Sequence, residues 1–362
     1  ERARRVITRA DAMPDDSVRQ AAIDATVGLS GEEAQACFAR SLVQLKCIDP
    51  ATVAREKKRI ITRERILEWY DPLPGGLDAV GGLTNLKAWL MERGLAYSAA
   101  ARAYGLPAPK GALLVGIPGC GKSHTAKGVA TAWGVPLLKL DLGALKSKFV
   151  GDSEANIRRA FRVIEAIGRC VVWIDEIEKS LAGATQGAAD GGVSSDALGS
   201  ILNWMQERQG EAFVFATAND VEGLPPELLR KGRFDQIWFV DTPTHEERVE
   251  VLKAAFAAHG RAELPIKCGT VADVSDGFTG AELASLVPDA LFAAFADGKR
   301  EPRTQDLLTA AAAVRPMAKG NINAKIAKLR AWVAEGNARH ASPDADEELS
   351  TPVRNRGRVV QL

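Results

Sequence analysis

The sequence predicts an α/β fold, a five-stranded parallel sheet flanked by helices, with helical regions before and after it. Three observations lead there. Five short apolar runs, Ala112 to Gly116, Pro136 to Leu140, Cys170 to Ile174, Ala212 to Ala216 and Gln236 to Val240, alternate with stretches of helical period, as strands joined by crossover helices do. The first run stops at a glycine-rich turn and a lysine, and the third ends in two adjacent carboxylates, Asp175 and Glu176. Ligands in such sheets sit at the carboxyl ends of the strands, where both motifs fall.

Composition narrows the function classes. At 362 residues the chain is long enough for two or three domains, and 46% apolar with 26% charged residues is ordinary for a globular protein. A net charge of +1 gives no global field toward nucleic acid or an anionic membrane. Cys37, Cys47, Cys120, Cys170 and Cys268 are scattered without metal-ligand spacing, which suits a reducing compartment. No apolar stretch approaches the ~20 residues of a membrane span, and no secretory leader pattern is read, so a cytoplasmic location is expected. The chain does not begin with Met, and more of the natural N-terminus is expected before Glu1.

In chain order, residues 1–70 read as a small helical domain with breaks near Pro14, Gly31 and Pro50 and almost no strand signal. Its last segment, Glu56 to Tyr70, interleaves Lys57, Lys58, Arg59, Arg63 and Arg65 with Ile60, Ile61, Ile66 and Leu67. A solvated amphipathic face packing on the next domain is favoured there over a nucleic-acid surface. Residues 71–76 read as a linker and 77–242 as the α/β region, in which the Gly/Ala/Ser stretch Ala182 to Ser195 forms a long loop. Residues 243–316 return to helices, starting near Thr244, Thr279 and Pro302, with Gly277 to Gly280 as a turn and N-cap. Residues 317–362 predict a helix from Asn323 to Gly336 and a polar, flexible tail.

The chemistry is concentrated at two motifs. Gly116, Gly121, Lys122 and Ser123 have Walker A spacing, with Pro118, Gly119 and Cys120 inside the loop and His124 following in the helix. Glycine lets successive N–H groups turn toward phosphate oxygens, Lys122 places an ammonium near the outer phosphates, and the Ser123 hydroxyl can ligate Mg²⁺. A chance glycine turn is the competing reading, and the strand and helix around it argue against that. Asp175 would hold the Mg²⁺ shell and Glu176 would polarise the water that attacks the γ-phosphate of ATP; solvated acids at a strand end are the alternative. Asn219, at the end of the fourth run, can orient that water without adding charge, although an Asn there is also a common turn residue.

Taken in order, Val80-Gly81-Gly82, the Walker pair, Ala216 to Asn219, Leu224 to Asp235 and Gly277 to Leu283 resemble an AAA module over roughly residues 77 to 315. The Gly232-Arg233-Phe234-Asp235 element is similar to the branch containing FtsH, Cdc48 and the proteasomal ATPases. Glu56 to Ile61 and Gly105 to Gly111 resemble a single-module AAA family encoded by bacteria, cyanobacteria and algal plastids, for which a plastid stroma is the alternative location.

The resemblance implies a P-loop AAA module with a helical lid and an N-terminal helical domain, assembled into a homo-oligomer, usually a hexamer, with ATP and Mg²⁺ between neighbouring subunits. It implies that Arg230 and Arg233 are arginine fingers, that Asn219 positions water, and that Val80 and Gly81 approach the adenine. Gly280 and Ala281 would start the lid helix near the nucleotide, and no histidine stands near Ala254 and Ala255, where several relatives carry one. Lys148-Phe149-Val150-Gly151 matches a first pore loop that grips extended polypeptide; an ordinary core phenylalanine is the alternative.

The function expected is a ring ATPase that remodels or unfolds a protein substrate through a central pore. An ATP-controlled assembly scaffold and a nucleic-acid remodeller are the alternatives, the latter disfavoured by the near-neutral charge. The protein substrate and adaptors are not legible in the chain. His245-Glu246-Glu247-Arg248-Val249 begins like a zinc-protease helix, but Val249 stands where a second histidine is required.

Overall fold

A computed structural model describes residues 15–26, 29, 31–61, 67–71, 73–142, 153–181, 193–208, 210–230, 232–320 and 322–343. Three helices come first, α1 (Asp16–Thr26), α2 (Gly31–Leu45) and α3 (Pro50–Ile61). They enclose a small core of Ala22, Cys37, Phe38, Ile48 and Val53. Asp49 caps α3 by accepting the Thr52 N–H at 2.8 Å, and Pro50 follows at the first helical position, where its missing N–H costs nothing. Lys57 departs from the expected solvated face: only 6% of it is exposed, and burial lowers its pKa.

Among the described residues the sheet has seven strands rather than five: β1 (Leu67–Tyr70), β2 (Gly111–Gly116), β3 (Leu137–Leu140), β4 (Val171–Ile174), β5 (Phe213–Ala218), β6 (Gln236–Val240) and β7 (Arg339–His340). Their order is β1-β3-β4-β5-β2-β6-β7. The five central strands are those expected, all parallel, and both edge strands are additions. The segment read as the end of a helical domain supplies β1, which pairs antiparallel with β3, Leu67 opposite Leu140. The segment read as a flexible tail supplies β7, parallel to β6.

β2, β4 and β5 are buried along their whole length and β3 and β6 are half-buried only at Lys139, Gln236 and Ile237, so the strands run almost entirely apolar and alternate in which face each residue serves. Leu113, Val115, Val172, Ile174, Val214 and Ala216 point one way, toward α7 (Ser153–Ile167), α8 (Ile177–Leu181) and α9 (Val193–Glu207). Ala112, Leu114, Val171, Trp173, Phe213 and Phe215 point the other way, toward α4 (Thr84–Gly94) and α6 (Lys122–Ala132), with the short α5 (Ala99–Tyr104) between these two in the chain. Phe213 and Phe215 are fully buried, each stabilising the core by about 1.5–3 kcal/mol relative to an exposed ring.

After β6 come α10 (His245–Ala258), α11 (Cys268–Val274), α12 (Gly280–Ala296) and α13 (Thr304–Ala313), packed around Leu252, Phe256, Leu283, Leu286 and Leu307. Thr244 with Glu247, and Thr279 with Glu282, form capping boxes that start α10 and α12. The short α11 is a helix that periodicity does not indicate. A final helix, α14 (Asn323–Trp332), ends earlier than expected; the chain then passes through a wide turn in which Gly336 takes a φ of 85°, and returns to the sheet as β7.

Candidate active site

The carboxyl ends of the central strands open onto a cavity of about 1070 Å³, walled on the far side by α10 and the start of α12. Val80, Gly81, Pro118, Gly119, Cys120, Gly121, Lys122, Ser123, His124, Asp175, Glu176, Asn219, Gly280 and Ala281, all singled out from sequence, line it. Arg230 and Arg233 do not. Lys148, Phe149 and Val150 lie outside the described residues.

The loop between β2 and α6 is built for a close-approaching anion. Gly119 and Gly121 take φ values of 78° and 87°, the left-handed region that side chains other than glycine rarely adopt. The first turn of α12 docks on this loop, Ala281 N–H donating to Gly119 O at 2.8 Å. Lys122 Nζ curls beneath it and donates to Gly116 O and Ile117 O, both at 2.8 Å. Burial drives the Lys122 pKa down to about 8, against the pull of Cys120, Glu178, Asp175 and Glu176. An ammonium desolvated to that degree is stabilised by any phosphate that enters its reach. Cys120 beside it is buried, and its thiol is pushed up to about 12, so it is an inert packing group.

The acids at the end of β4 are wired to the loop and to β5. Asp175 Oδ1 accepts from Ser123 Oγ at 2.9 Å and from Thr217 Oγ1 at 2.7 Å. Thr217 Oγ1 in turn accepts the Glu176 N–H at 3.0 Å. Glu176 has a φ of 46°, an uncommon conformation for a non-glycine residue and one found at constrained functional positions. Its Oε1 accepts from Asn219 Nδ2 at 2.9 Å and its Oε2 from Lys179 Nζ at 2.7 Å. Ser123 and Asp175 together present hard oxygens, the donor set that suits Mg²⁺, which typically takes one or two protein ligands with phosphate and water completing its shell. Among the described residues no group of three or more His, Cys, Asp or Glu side chains forms an all-protein metal cage.

The opposite wall is the segment Val80 to Leu83. Leu83 N–H donates to Glu247 Oε1 at 2.7 Å and Gly82 N–H to Glu250 Oε2 at 2.8 Å, so α10 holds this wall in place. Glu247 Oε1 also accepts from Ser342 Oγ, just beyond β7, at 2.5 Å. Sequence reasoning misses Thr217, Glu247 and Glu250 as site residues. Only the Thr-x-x-Glu spacing of Thr244 and Glu247 is visible there, as a helix start.

Arg230 and Arg233 belong to the other end of the module. Asp235 Oδ2 accepts the N–H groups of Lys110 and Gly111 at 2.6 and 2.9 Å, which pins this turn to the start of β2. The glycine loop follows the opposite end of the strand, about 17–20 Å away for a strand of six residues. Arg230 is exposed, and Arg233 is half-buried with its Nη1 donating to Leu202 O.

Residues 112–242 match the family described as "ATPase family associated with various cellular activities (AAA)". An uncharacterized AAA domain-containing protein ycf46 from Guillardia theta is 38% identical over 328 residues, 88% of this chain and 63% of that protein. Its counterpart in Trieres chinensis is 38% identical over 334 residues, 91% of this chain and 66% of the relative. More distantly, an ATP-dependent zinc metalloprotease FtsH of Acidothermus cellulolyticus is 32% identical over 259 residues, 70% of this chain and 38% of the relative. The chain thus spans less than two thirds of the length of these relatives. With its glycine loop, paired acids and strand-end asparagine around one cavity, the chain carries a domain of the AAA ATPase family over residues 112–242.

Proposed function

We propose that this chain is a ring-forming ATPase that couples ATP hydrolysis to the remodelling or unfolding of a protein substrate. Within one subunit, the glycine loop and Lys122 bind the phosphates, and Val80 and Gly81 form the wall beside the base. Glu176 takes a proton from the attacking water, and Asn219, hydrogen-bonded to Glu176 Oε1 at 2.9 Å, orients both. Ser123 and Asp175 are the residues that would hold Mg²⁺, which when bound neutralises charge on the outer phosphates.

The observation that carries the ring is the position of the two arginines. Arg230 and Arg233 sit on a turn tied to the amino end of β2, roughly a strand length from their own glycine loop. That separation from their own loop, with Arg230 exposed, supports action on a neighbour's site. An arginine supplied in trans stabilises charge on the transferring phosphoryl group and is worth about 10³–10⁵ in rate. The protein substrate is the part of this reading that rests on the resemblance of Lys148 to Gly151 to a pore loop.

Complementation tests the ring. Lys122→Ala, which cannot bind phosphate, and Arg230→Ala/Arg233→Ala, which cannot assist a neighbour, should each be inactive alone. Mixing them should restore part of the turnover, because some seams then pair an intact loop with intact arginines. No recovery at any ratio rejects action in trans. Glu176→Gln should bind ATP and hydrolyse it at least ~100-fold more slowly, and unfolding of a tethered reporter protein should stop with it.

A further inference from the structure

Glu178 is a buried acid with no place in the chemistry just described. It lies in the first turn of α8, is 6% exposed, and does not line the cavity. Its Oε1 accepts the main-chain N–H of Asn219 at 3.0 Å, and its Oε2, equally buried, has no hydrogen-bond partner. A carboxylate in that position is costly unless it does something for the fold or the site.

The geometry points to Glu178 as the positioning residue that sets Asn219 against Glu176. This rests on the hydrolysis reading of the site. Asn219 is the first residue after β5, where the ladder of sheet hydrogen bonds has ended and the main chain is free to turn. Two acids two residues apart on one short segment take hold of it at both ends. Glu178 fixes its main chain through the N–H, and Glu176 receives its side-chain amide at 2.9 Å. The segment bearing both acids is itself anchored to β5, because Glu176 N–H is held by Thr217 Oγ1 at 3.0 Å. The result is a closed loop of contacts, Thr217 to Glu176 to Asn219 and Asn219 back through Glu178, that leaves the amide one orientation.

Space and charge agree with this role. A Cβ on Gly223, in the turn that follows Asn219, would lie 3.4 Å from Glu178 Cβ, so the turn folds directly over the acid and shields it from water. Burial raises the Glu178 pKa, with the Asn219 N–H pulling against it. The bond to the Asn219 N–H uses one acceptor oxygen of Glu178, which a glutamine also supplies.

Three substitutions and one exchange measurement test the assignment. Glu178→Ala should lower kcat for ATP at least tenfold while changing KM less than about threefold, since the phosphate contacts are untouched. Glu178→Gln, which keeps an acceptor oxygen, should recover most of that loss. In an Asn219→Ala background, Glu178→Ala should change kcat less than twofold, because its effect passes through Asn219. Hydrogen exchange resolved at the Asn219 amide should accelerate at least tenfold in Glu178→Ala and stay protected in Glu178→Gln, whatever the turnover. Unchanged exchange in Glu178→Ala, or losses that multiply independently in the double variant, would overturn the assignment. A wild-type chain that hydrolyses no ATP would instead sink the hydrolysis reading, and the exchange measurement would still decide the contact.

Discussion

Thr217 Oγ1 donates to Asp175 Oδ1 over 2.7 Å and accepts the Glu176 N–H at 3.0 Å, so one hydroxyl on β5 orients both acids at the end of β4. Thr217 is 1% exposed, and no other side chain of the described residues makes both contacts. Thr217→Val keeps the shape and removes the hydroxyl. It leaves the part-buried Glu176 N–H without its acceptor, a loss of about 1 kcal/mol, and frees Glu176 from its left-handed conformation. The expected outcome is a kcat at least tenfold lower with ATP affinity within threefold of wild type. Wild-type turnover in steady-state assays would show that Thr217 serves packing alone.

Glu247 joins two distant parts of the chain, and the start of its own helix, at the wall of the cavity. Its carboxylate accepts from Leu83 N–H at 2.7 Å, Thr244 N–H at 3.0 Å and Ser342 Oγ at 2.5 Å, with 6% of the residue exposed. Glu247→Ala strands these donors and should cost at least about 3 kcal/mol in denaturant unfolding, with weaker ATP binding because Val80 to Leu83 loses its anchor. Ser342→Ala removes one donor and leaves the others paired, so about 1 kcal/mol and a small change in ATP affinity are expected. Equal effects from the two substitutions would mean that the contact with Ser342 dominates.

How far the site is legible in the sequence depends on the distance between partners. The glycine loop, Lys122 and Ser123 are consecutive, and Asp175 and Glu176 end an apolar run, so residue type and spacing suffice for them. Thr217, Glu178 and Glu247 act through contacts 41 residues or more away in the chain, and the fold alone brings those partners together. In sequence Glu178 is one more charge on a short helix. The same holds for the fold: the central strands are mostly apolar runs packed between helices, whereas β1 and β7 are edges of four and two residues that include the charged Glu68 and Arg339, and their pairing is set by neighbours rather than by periodicity. Lys57, expected among solvated cations, is buried where α3 packs against α1, α2 and β1, neighbours that periodicity along one segment does not announce.

The helical region after β6 carries an acid-sensitive clasp. Arg300 Nη1 and Nη2 donate to Asp306 Oδ2 and Oδ1 at 2.7 and 2.8 Å, and Asp306 Oδ2 also caps α13 through Arg303 N–H at 2.7 Å. These bonds, Arg300 first, hold the Asp306 carboxyl down at about 2. A carboxylate depressed in the folded state adds stability above its unfolded pKa, near 4, and that stability is lost as pH falls from about 4 toward 2. Asp306→Asn should therefore destabilise the protein by about 1–2 kcal/mol at pH 7, with the difference shrinking as the acid limb is approached. A constant difference between wild type and variant down to pH 3 would reject the linkage.

Gly116 shows why the strand before the loop ends as it does. It pairs with Val240, and a Cβ placed on it would fall 2.0 Å from Val240 O, a main-chain atom in the sheet that has no room to retreat. Gly116→Ala must either break the pairing of β2 with β6 or push the glycine loop out of register with Lys122, whose Nζ bonds to Gly116 O. A loss of at least about 3 kcal/mol in stability, or an insoluble product, is expected together with loss of ATP binding. Gly199 provides the contrast, since it lies inside α9 and a methyl group added there would meet no atom of the described residues within 4 Å beyond its own stretch of helix. Gly199→Ala should be neutral or stabilise the protein by up to about 1 kcal/mol, because alanine lowers the entropic cost of the helix. If thermal unfolding placed the two alanine variants within about 1 kcal/mol of each other, the close approach of β2 and β6 would not be what requires a glycine at position 116.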